Sequence, residues 1–337
     1  MTAKNVVLMI GDGMSVPQIC FAMEHAETTL AFEKFAYTGL VKTRSKNAKI
    51  TDSAAAGTAI ATGQKTNNGM IGMNSDSIPI PSILETLKDL GKNTGIVVSC
   101  AVTHATPAAF IAKNCSRNNK EEIAEDFAST DKLDVLIGGG RKYFLNRKDS
   151  VNLIEKMIQN GWKLYDSINQ IEVDATKPLV LLSDRHPKTI LEGRGDMLPD
   201  GVTTALSLLN KNENGFFLMV EGSQIDWAGH NNDTEYLKAE MEDFNKTIEI
   251  VLDFAQKNPE TLLIVTADHE TGGLTLVSDS TNTYNAIKYK FATTNHSALM
   301  TPIFAIGPGA EQFTGIMDNT DIYNKIYQAV QKKDEPK

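Results

Sequence analysis

The chain has 337 residues, 41% of them hydrophobic and 22% charged, proportions that exclude a disordered or collagen-like protein. The length allows two domains or one large α/β domain with elaborations. Its 33 Lys and Arg against 42 Asp and Glu give a formal net charge of -9. That balance argues against a nucleic-acid-binding surface, because such binding depends on clustered basic residues that release counterions.

Met1 to Val6 carries no charged n-region followed by an apolar h-region, so no signal peptide is expected and the compartment stays open. The longest apolar runs (VVLMI, LVLLS, FFLMV) are strand-sized and fall short of the roughly 18 residues a membrane span requires, so no membrane segment is expected. Runs at 6–10, 95–99, 135–137, 179–182, 216–220, 262–266 and 302–306 predict strands, each bounded by Gly, Asp, Asn or Pro. Between them, 16–26, 53–62, 81–90, 121–128, 151–160, 203–209, 234–256 and 321–331 predict helices. In the helix at 234–256, Leu237, Met241, Phe244, Ile248 and Val251 recur at three- and four-residue steps, the stripe of a core-facing helix.

This β-α-β rhythm predicts an α/β fold with a mostly parallel central β-sheet flanked by helices on both faces. Nothing reads as a linker or repeat. Residues 1–337 are therefore expected to form one domain, with a small insertion around 125–200. Cys20, Cys100 and Cys115 are odd in number and lack CxxC spacing, which makes a disulfide framework or zinc–thiolate site unexpected. Each reads as a small buried hydrophobe, and a Cys100–Cys115 bridge stays open for an exported protein.

In open α/β sheets the chemistry sits beyond the carboxyl ends of the strands. Here VVLMI ends in Gly11-Asp12-Gly13, FFLMV in Glu221-Gly222-Ser223-Gln224-Ile225-Asp226, and LLIVTA in Asp268-His269-Glu270. One acidic residue at a strand end reads as a helix cap. Three strands delivering carboxylates and an imidazole to one rim read as a site. Asp226 and His230, four apart, share one face of a helical turn within reach of a single metal ion. Of six histidines, His104, His230, His269 and His296 fall in such segments, whereas His25 and His186 lie in unremarkable polar contexts. Imidazole and carboxylate without thiolate suit catalytic zinc.

A nucleophile candidate lies in Thr51-Asp52-Ser53-Ala54-Ala55-Ala56-Gly57-Thr58-Ala59. Ser53 reads either as an N-cap opening an alanine-rich helix or as a serine ionised by a metal above an anion-binding helix N-terminus. Taken together, GDGM, TDSAAAGTA, HATPAAF with Arg117 downstream, VEGSQIDWAGH, TADHETGG and a late His296 run nearly the length of the chain. In these motifs the chain resembles the alkaline phosphatases, metal-dependent phosphomonoesterases.

The resemblance implies hydrolysis of phosphate monoesters to an alcohol and inorganic phosphate, at alkaline pH, through a phosphoserine on Ser53. It implies two Zn2+ and one Mg2+. Asp12, Asp268 and His269 would hold one zinc beside Ser53, lowering the hydroxyl's pKa. Asp226, His230 and His296 would hold the second, which stabilises the leaving oxygen and then lowers the pKa of the attacking water. Asp12, Thr106 and Glu221 would hold magnesium with hard oxygen ligands. Arg117, alone a surface arginine, would bind two phosphoryl oxygens with its planar fork.

His104 and Trp227 occupy positions that vary in the family, and both are expected to tune the magnesium site and phosphate release. Trp227 taken alone reads as a packed rim aromatic. Small phosphate monoesters and inorganic phosphate are the implied partners, and a periplasmic or secreted location is implied as well. Only 26 residues separate His269 from His296, where larger relatives insert a crown-like subdomain, so homodimer and monomer both stay open. A related phosphodiesterase or sulfatase is the alternative, and Ser53 with the intact Asp12, Thr106 and Glu221 trio weighs against it, as it does against a non-catalytic binding protein. Gly138-Gly139-Gly140 reads as a tight turn, and Arg194-Gly195-Asp196 as a chance tripeptide.

Overall fold

Strand β1 (Asn5–Gly11) is buried at all seven positions. In the computed structural model, which describes residues 2–279 and 287–331, it lies inside a ten-stranded sheet. The other strands are β2 (Tyr37–Lys42), β3 (Asn93–Ala101), β4 (Val135–Gly139), β5 (Lys163–Tyr165), β6 (Pro178–Leu181), β7 (Phe216–Gly222), β8 (Thr261–Thr266), β9 (Glu270–Thr271), β10 (Leu274–Ser278), β11 (Ile287–Phe291), β12 (His296–Ser297), β13 (Thr301–Ile306) and β14 (Gly315–Asp318). The sheet order is β14-β2-β13-β8-β1-β7-β3-β4-β6-β5. β13 alone runs antiparallel to its neighbours β2 and β8, and the remaining pairs are parallel.

The central strands read as unbroken apolar runs because both their faces are covered. Successive side chains alternate sides, so Val6, Leu8 and Ile10 join one apolar layer with Ile60 and Ile322, while Val7 and Met9 join the other with Leu237, Phe244 and Ile248. The stripe at 234–256 is accordingly the buried face of helix Thr234–Lys257. This is the expected mostly parallel α/β sandwich. Residues around 125–200 supply β4, β5 and β6 at one sheet edge.

Each predicted strand coincides with an observed one to within two residues. The helix expected at 203–209 instead spans Met197–Leu209. Pro199 looks like a breaker but falls in the first turn, where its missing N–H costs nothing. Gly201 sits there because a Cβ would come within 2.9 Å of Val97 Cγ1. The edge strands β5 and β14, the strand β2 inside β14, and the short pairs β10–β11 and β9–β12 were not expected.

The cysteines depart from the expectation of three buried hydrophobes. Cys100 is buried, Cys20 half-buried and Cys115 exposed, and all three are free. No Cys100–Cys115 bridge forms. Arg194, in the tripeptide read as chance, has a side chain only 2% exposed and paired with Glu240 and Asp243 at 2.5 and 2.8 Å, a structural ion cluster and not a surface ligand. No described helix is long and apolar enough to cross a membrane.

Candidate active site

Strands β1, β7 and β8 lie side by side and parallel, with Gly11 opposite Gly222 and Ile10 opposite Thr266, so the segments that follow them open on one rim. β7 leads through Glu221 into helix Ile225–Asn231, which carries Asp226 and His230. The turn after β1 packs directly on that helix. Gly13 has φ +73°, and a Cβ there would lie 2.7 Å from Asp226 Cα, so glycine is required.

Two sets of metal-ligand atoms gather here, each set within 4.8 Å: Asp12, Asp268 and His269, and Asp226, His230 and His296. In the first, His269 Nε2 lies 3.5 Å from Asp12 Oδ1 and 3.2 Å from Asp268 Oδ2. In the second, Asp226 Oδ1 lies 3.3 Å from His230 Nε2 and 3.6 Å from His296 Nε2. His296 reaches the site because β12 pairs with β9, placing it opposite Thr271.

Hydrogen bonds fix the tautomers. His230 Nδ1 lies 2.6 Å from Thr294 O, and His296 Nδ1 lies 2.8 Å from Thr51 O. A carbonyl only accepts, so each Nδ1 donates. Thr271 Oγ1 donates to Asp226 Oδ1 at 2.5 Å, which leaves its lone pair to accept from His269 Nδ1 at 3.2 Å. In the neutral imidazoles all three Nε2 atoms therefore aim lone pairs at carboxylate oxygens. Acceptor facing acceptor is stable only with a cation or a proton between, and a tied Nδ1–H is how metal-binding histidines are oriented.

The electrostatics agree. Burial and then the Asp268 charge hold the Asp12 carboxyl well above its usual range, and burial with the Asp226 charge pushes Asp268 up to about 8. Burial also raises Glu221. Burial opposes ionisation of Asp226 too, yet the His230 hydrogen bond and the nearby imidazoles hold it low; the same bond pushes His230 up to about 9. His269 is driven well down by burial and by His296. Both Oδ atoms of Asp12, Asp268 Oδ2, Thr106 Oγ1 and Glu221 Oε1 are buried without a hydrogen-bond partner. Orphaned oxygens crowded with like charge are what divalent cations satisfy, so the residues present fit the metals.

Ser53 opens helix Ser53–Thr62, but it is not the cap: Asp52 is, its Oδ1 accepting from Ala55 N at 2.9 Å. That leaves Ser53 Oγ free, 3.2 Å from His269 Nε2. Asp52 Oδ2 accepts from Arg117 Nη1 at 3.1 Å, and Arg117 Nη2 lies 3.4 Å from His104 Nε2. Thr106 sits in helix Ala105–Ala108 just beyond β3. Trp227 meets His186 edge-on with ring centroids 4.6 Å apart, and His104 at 6.0 Å.

All twelve residues singled out in the sequence thus lie at or beside this rim. Three more were not foreseen in these roles: Asp52, Thr271 and His186. Asp52 and Thr271 stand inside the motifs themselves. His186, which reads as unremarkable, reaches Trp227 only through tertiary packing.

A parallel sheet whose rim gathers carboxylates and imidazoles around a buried serine defines a metal-dependent hydrolase. The family profile described as alkaline phosphatase matches residues 3–291. "Alkaline phosphatase 4" of Bacillus subtilis is 33% identical over 96% of this chain and 88% of its own length. "Alkaline phosphatase" of Escherichia coli is 30% identical over 97% and 86%. Among solved structures, alkaline phosphatase from the Antarctic bacterium TAB5 superposes with TM-score 0.94 at 40% identity, covering 98% of this chain and 99% of that one. A TAB5 variant with a histidine replaced by aspartate was solved with Mg bound in its M3 site. The chain belongs to the alkaline phosphatase family and is a phosphomonoester hydrolase.

Proposed function

We propose that this enzyme transfers the phosphoryl group of small monoesters to Ser53 and then to water, releasing inorganic phosphate. The observation that carries this reading is Ser53 Oγ 3.2 Å from His269 Nε2, at a helix N-terminus and against the Asp12, Asp268 and His269 cluster. Zn2+ on Asp12, Asp268 and His269, Zn2+ on Asp226, His230 and His296, and Mg2+ on Asp12, Thr106 and Glu221 would together supply Lewis acidity at the nucleophile, the leaving oxygen and the water. Magnesium in the TAB5 variant supports the third ion.

The chain's own groups do the positioning. Arg117, held by Asp52, presents its guanidinium to two phosphoryl oxygens. The N–H groups of the first turn of helix Ser53–Thr62 face the anion. In the first step the Oγ–P bond forms, the ester P–O bond breaks, and the alcohol departs with a proton. In the second, water attacks phosphorus and Oγ leaves, recovering its proton. Residues 1–337 act as one domain in this reading, as a homodimer or a monomer, and export to the periplasm or outside the cell is carried by the family resemblance.

The direct test is mass spectrometry of enzyme quenched in acid during turnover of a monoester. A phosphoryl group on Ser53 is expected; an unmodified Ser53 in an enzyme turning over at an undiminished rate under rate-limiting dephosphorylation would refute the covalent route.

A further inference from the structure

Beside the magnesium trio lies a third set of donors that shares Glu221 with it and adds Cys100 and His104, neither of which the proposed mechanism gives a ligand role. Cys100, His104 and Glu221 each offer one ligand atom within 4.8 Å of the others. Cys100 is fully buried at the end of β3, its Sγ 3.3 Å from Glu221 Oε2. Ser223 Oγ donates to the same oxygen at 2.7 Å. Two independent features point to a ligand. His104 Nδ1 is buried with no partner, while its Nε2 faces Arg117; and Glu221, fully buried, leaves Oε1 unpartnered.

Thiolate, imidazole and carboxylate are a borderline-soft set, suited to zinc or cobalt and foreign to magnesium, which demands octahedral oxygen. The spacing fits. Bonds of about 2.3 Å to sulfur and about 2.0 Å to oxygen at a tetrahedral angle set the two ligands roughly 3.5 Å apart. The observed Sγ to Oε2 separation is 3.3 Å.

We propose that Cys100, His104 and Glu221 form a thiolate site for a soft divalent cation, and that this site and the magnesium site exclude one another because both use Glu221. The inference rests on the reading that Asp12, Thr106 and Glu221 hold magnesium. As the S–metal bond forms, the thiol proton, which now faces Ala101 O at 3.2 Å and Glu221 Oε2 at 3.3 Å, leaves to solvent, and no electron is transferred.

The test is titration of chelator-stripped enzyme with Co2+ alone, followed by near-ultraviolet absorption. The expected result is a thiolate-to-cobalt charge-transfer band that rises with the third equivalent and is lost in Cys100→Ser and Cys100→Ala. It should persist in Cys115→Ser and Cys20→Ser, and be suppressed by excess Mg2+. Absence of the band at saturating Co2+, its survival in Cys100→Ser, or its indifference to Mg2+ would overturn the proposal. Monoester hydrolysis by the wild-type enzyme with zinc and magnesium is measured in parallel. Hydrolysis without the band refutes this site alone; the band without hydrolysis refutes the hydrolytic mechanism and leaves the thiolate site standing.

Discussion

The imidazoles of His269 and His296 stack with ring centroids 3.5 Å apart and planes 20° apart, so that one ligand of each metal cluster backs directly on a ligand of the other. Thr271 ties the two clusters from beneath, donating to Asp226 and accepting from His269. Removing that hydroxyl frees one ligand of each site at once. Thr271→Val should weaken zinc binding about 10- to 100-fold, the usual cost of losing such an orienting partner, in competition with a chromophoric chelator. Unchanged affinity at both zinc sites would contradict the tie.

In the proposed covalent route Ser53→Ala removes the acceptor of the phosphoryl group and is expected to leave under about 1% of monoesterase activity, because bypass by direct water attack lacks a positioned nucleophile. Near-wild-type kcat would end the covalent account.

In the proposed mechanism Arg117 binds the phosphoryl group and does not react. Losing one preorganised charged donor costs on the order of 10² to 10³ in rate, so Arg117→Ala should raise KM and lower kcat while retaining measurable turnover. Arg117→Lys should recover only part, since an ammonium cannot bind two oxygens in parallel. Full recovery by lysine would argue against the fork.

The metal-free enzyme should lose stability as pH rises. His230 is pushed up from 6.5 to about 9, chiefly by its bond to Asp226, and Asp268 from 3.8 to about 8, chiefly by burial. Both groups bind protons more tightly folded than unfolded. The His230 contribution is therefore whole below 6.5 and gone above about 9; that of Asp268 is whole below 3.8 and lost through about 8. Thermal unfolding of stripped enzyme between about pH 6 and 9 should show a falling Tm, with a flatter profile once metals replace the protons. A rising Tm for the stripped protein would invert this reasoning.

Trp227 packs edge-on against His186, whose imidazole is pushed down to about 4 by burial and the Lys120 charge and so stays neutral. This side of the rim therefore carries no cation from Trp227 or His186 to hold product. Trp227→Lys should tighten inhibition by inorganic phosphate, and equal inhibition constants for the two proteins would count against looser product retention.

What could be read in the sequence follows from how each residue is held. Asp12, Glu221 and Asp268 stand out because doubly buried strands such as VVLMI end abruptly in polar residues, a local signal. Strand β2 hides because it opens on two exposed residues, Tyr37 and Thr38, and carries Gly39, and β14 because Gly315 and Ile316 are exposed. Ser53 is visible as a helix-opening serine, yet only the structure shows Asp52 taking the cap and freeing it. Cys115 looks no different from Cys100 in sequence, and the loop around it leaves it exposed while β3 buries the other. His186 and Cys100 earn their places through contacts across more than 80 and 120 residues, to Ala101 N and to Glu221, which no local pattern encodes.

Metal-dependent phosphomonoesterase activity is tested most directly by release of p-nitrophenol from its phosphate monoester at alkaline pH, beside bis-p-nitrophenyl phosphate, before chelation, after it, and with zinc and magnesium restored. The expected result is monoester cleavage that far exceeds diester cleavage, disappears with the chelator and returns with both ions. Dominant diester cleavage, or monoester cleavage indifferent to chelation, would contradict it.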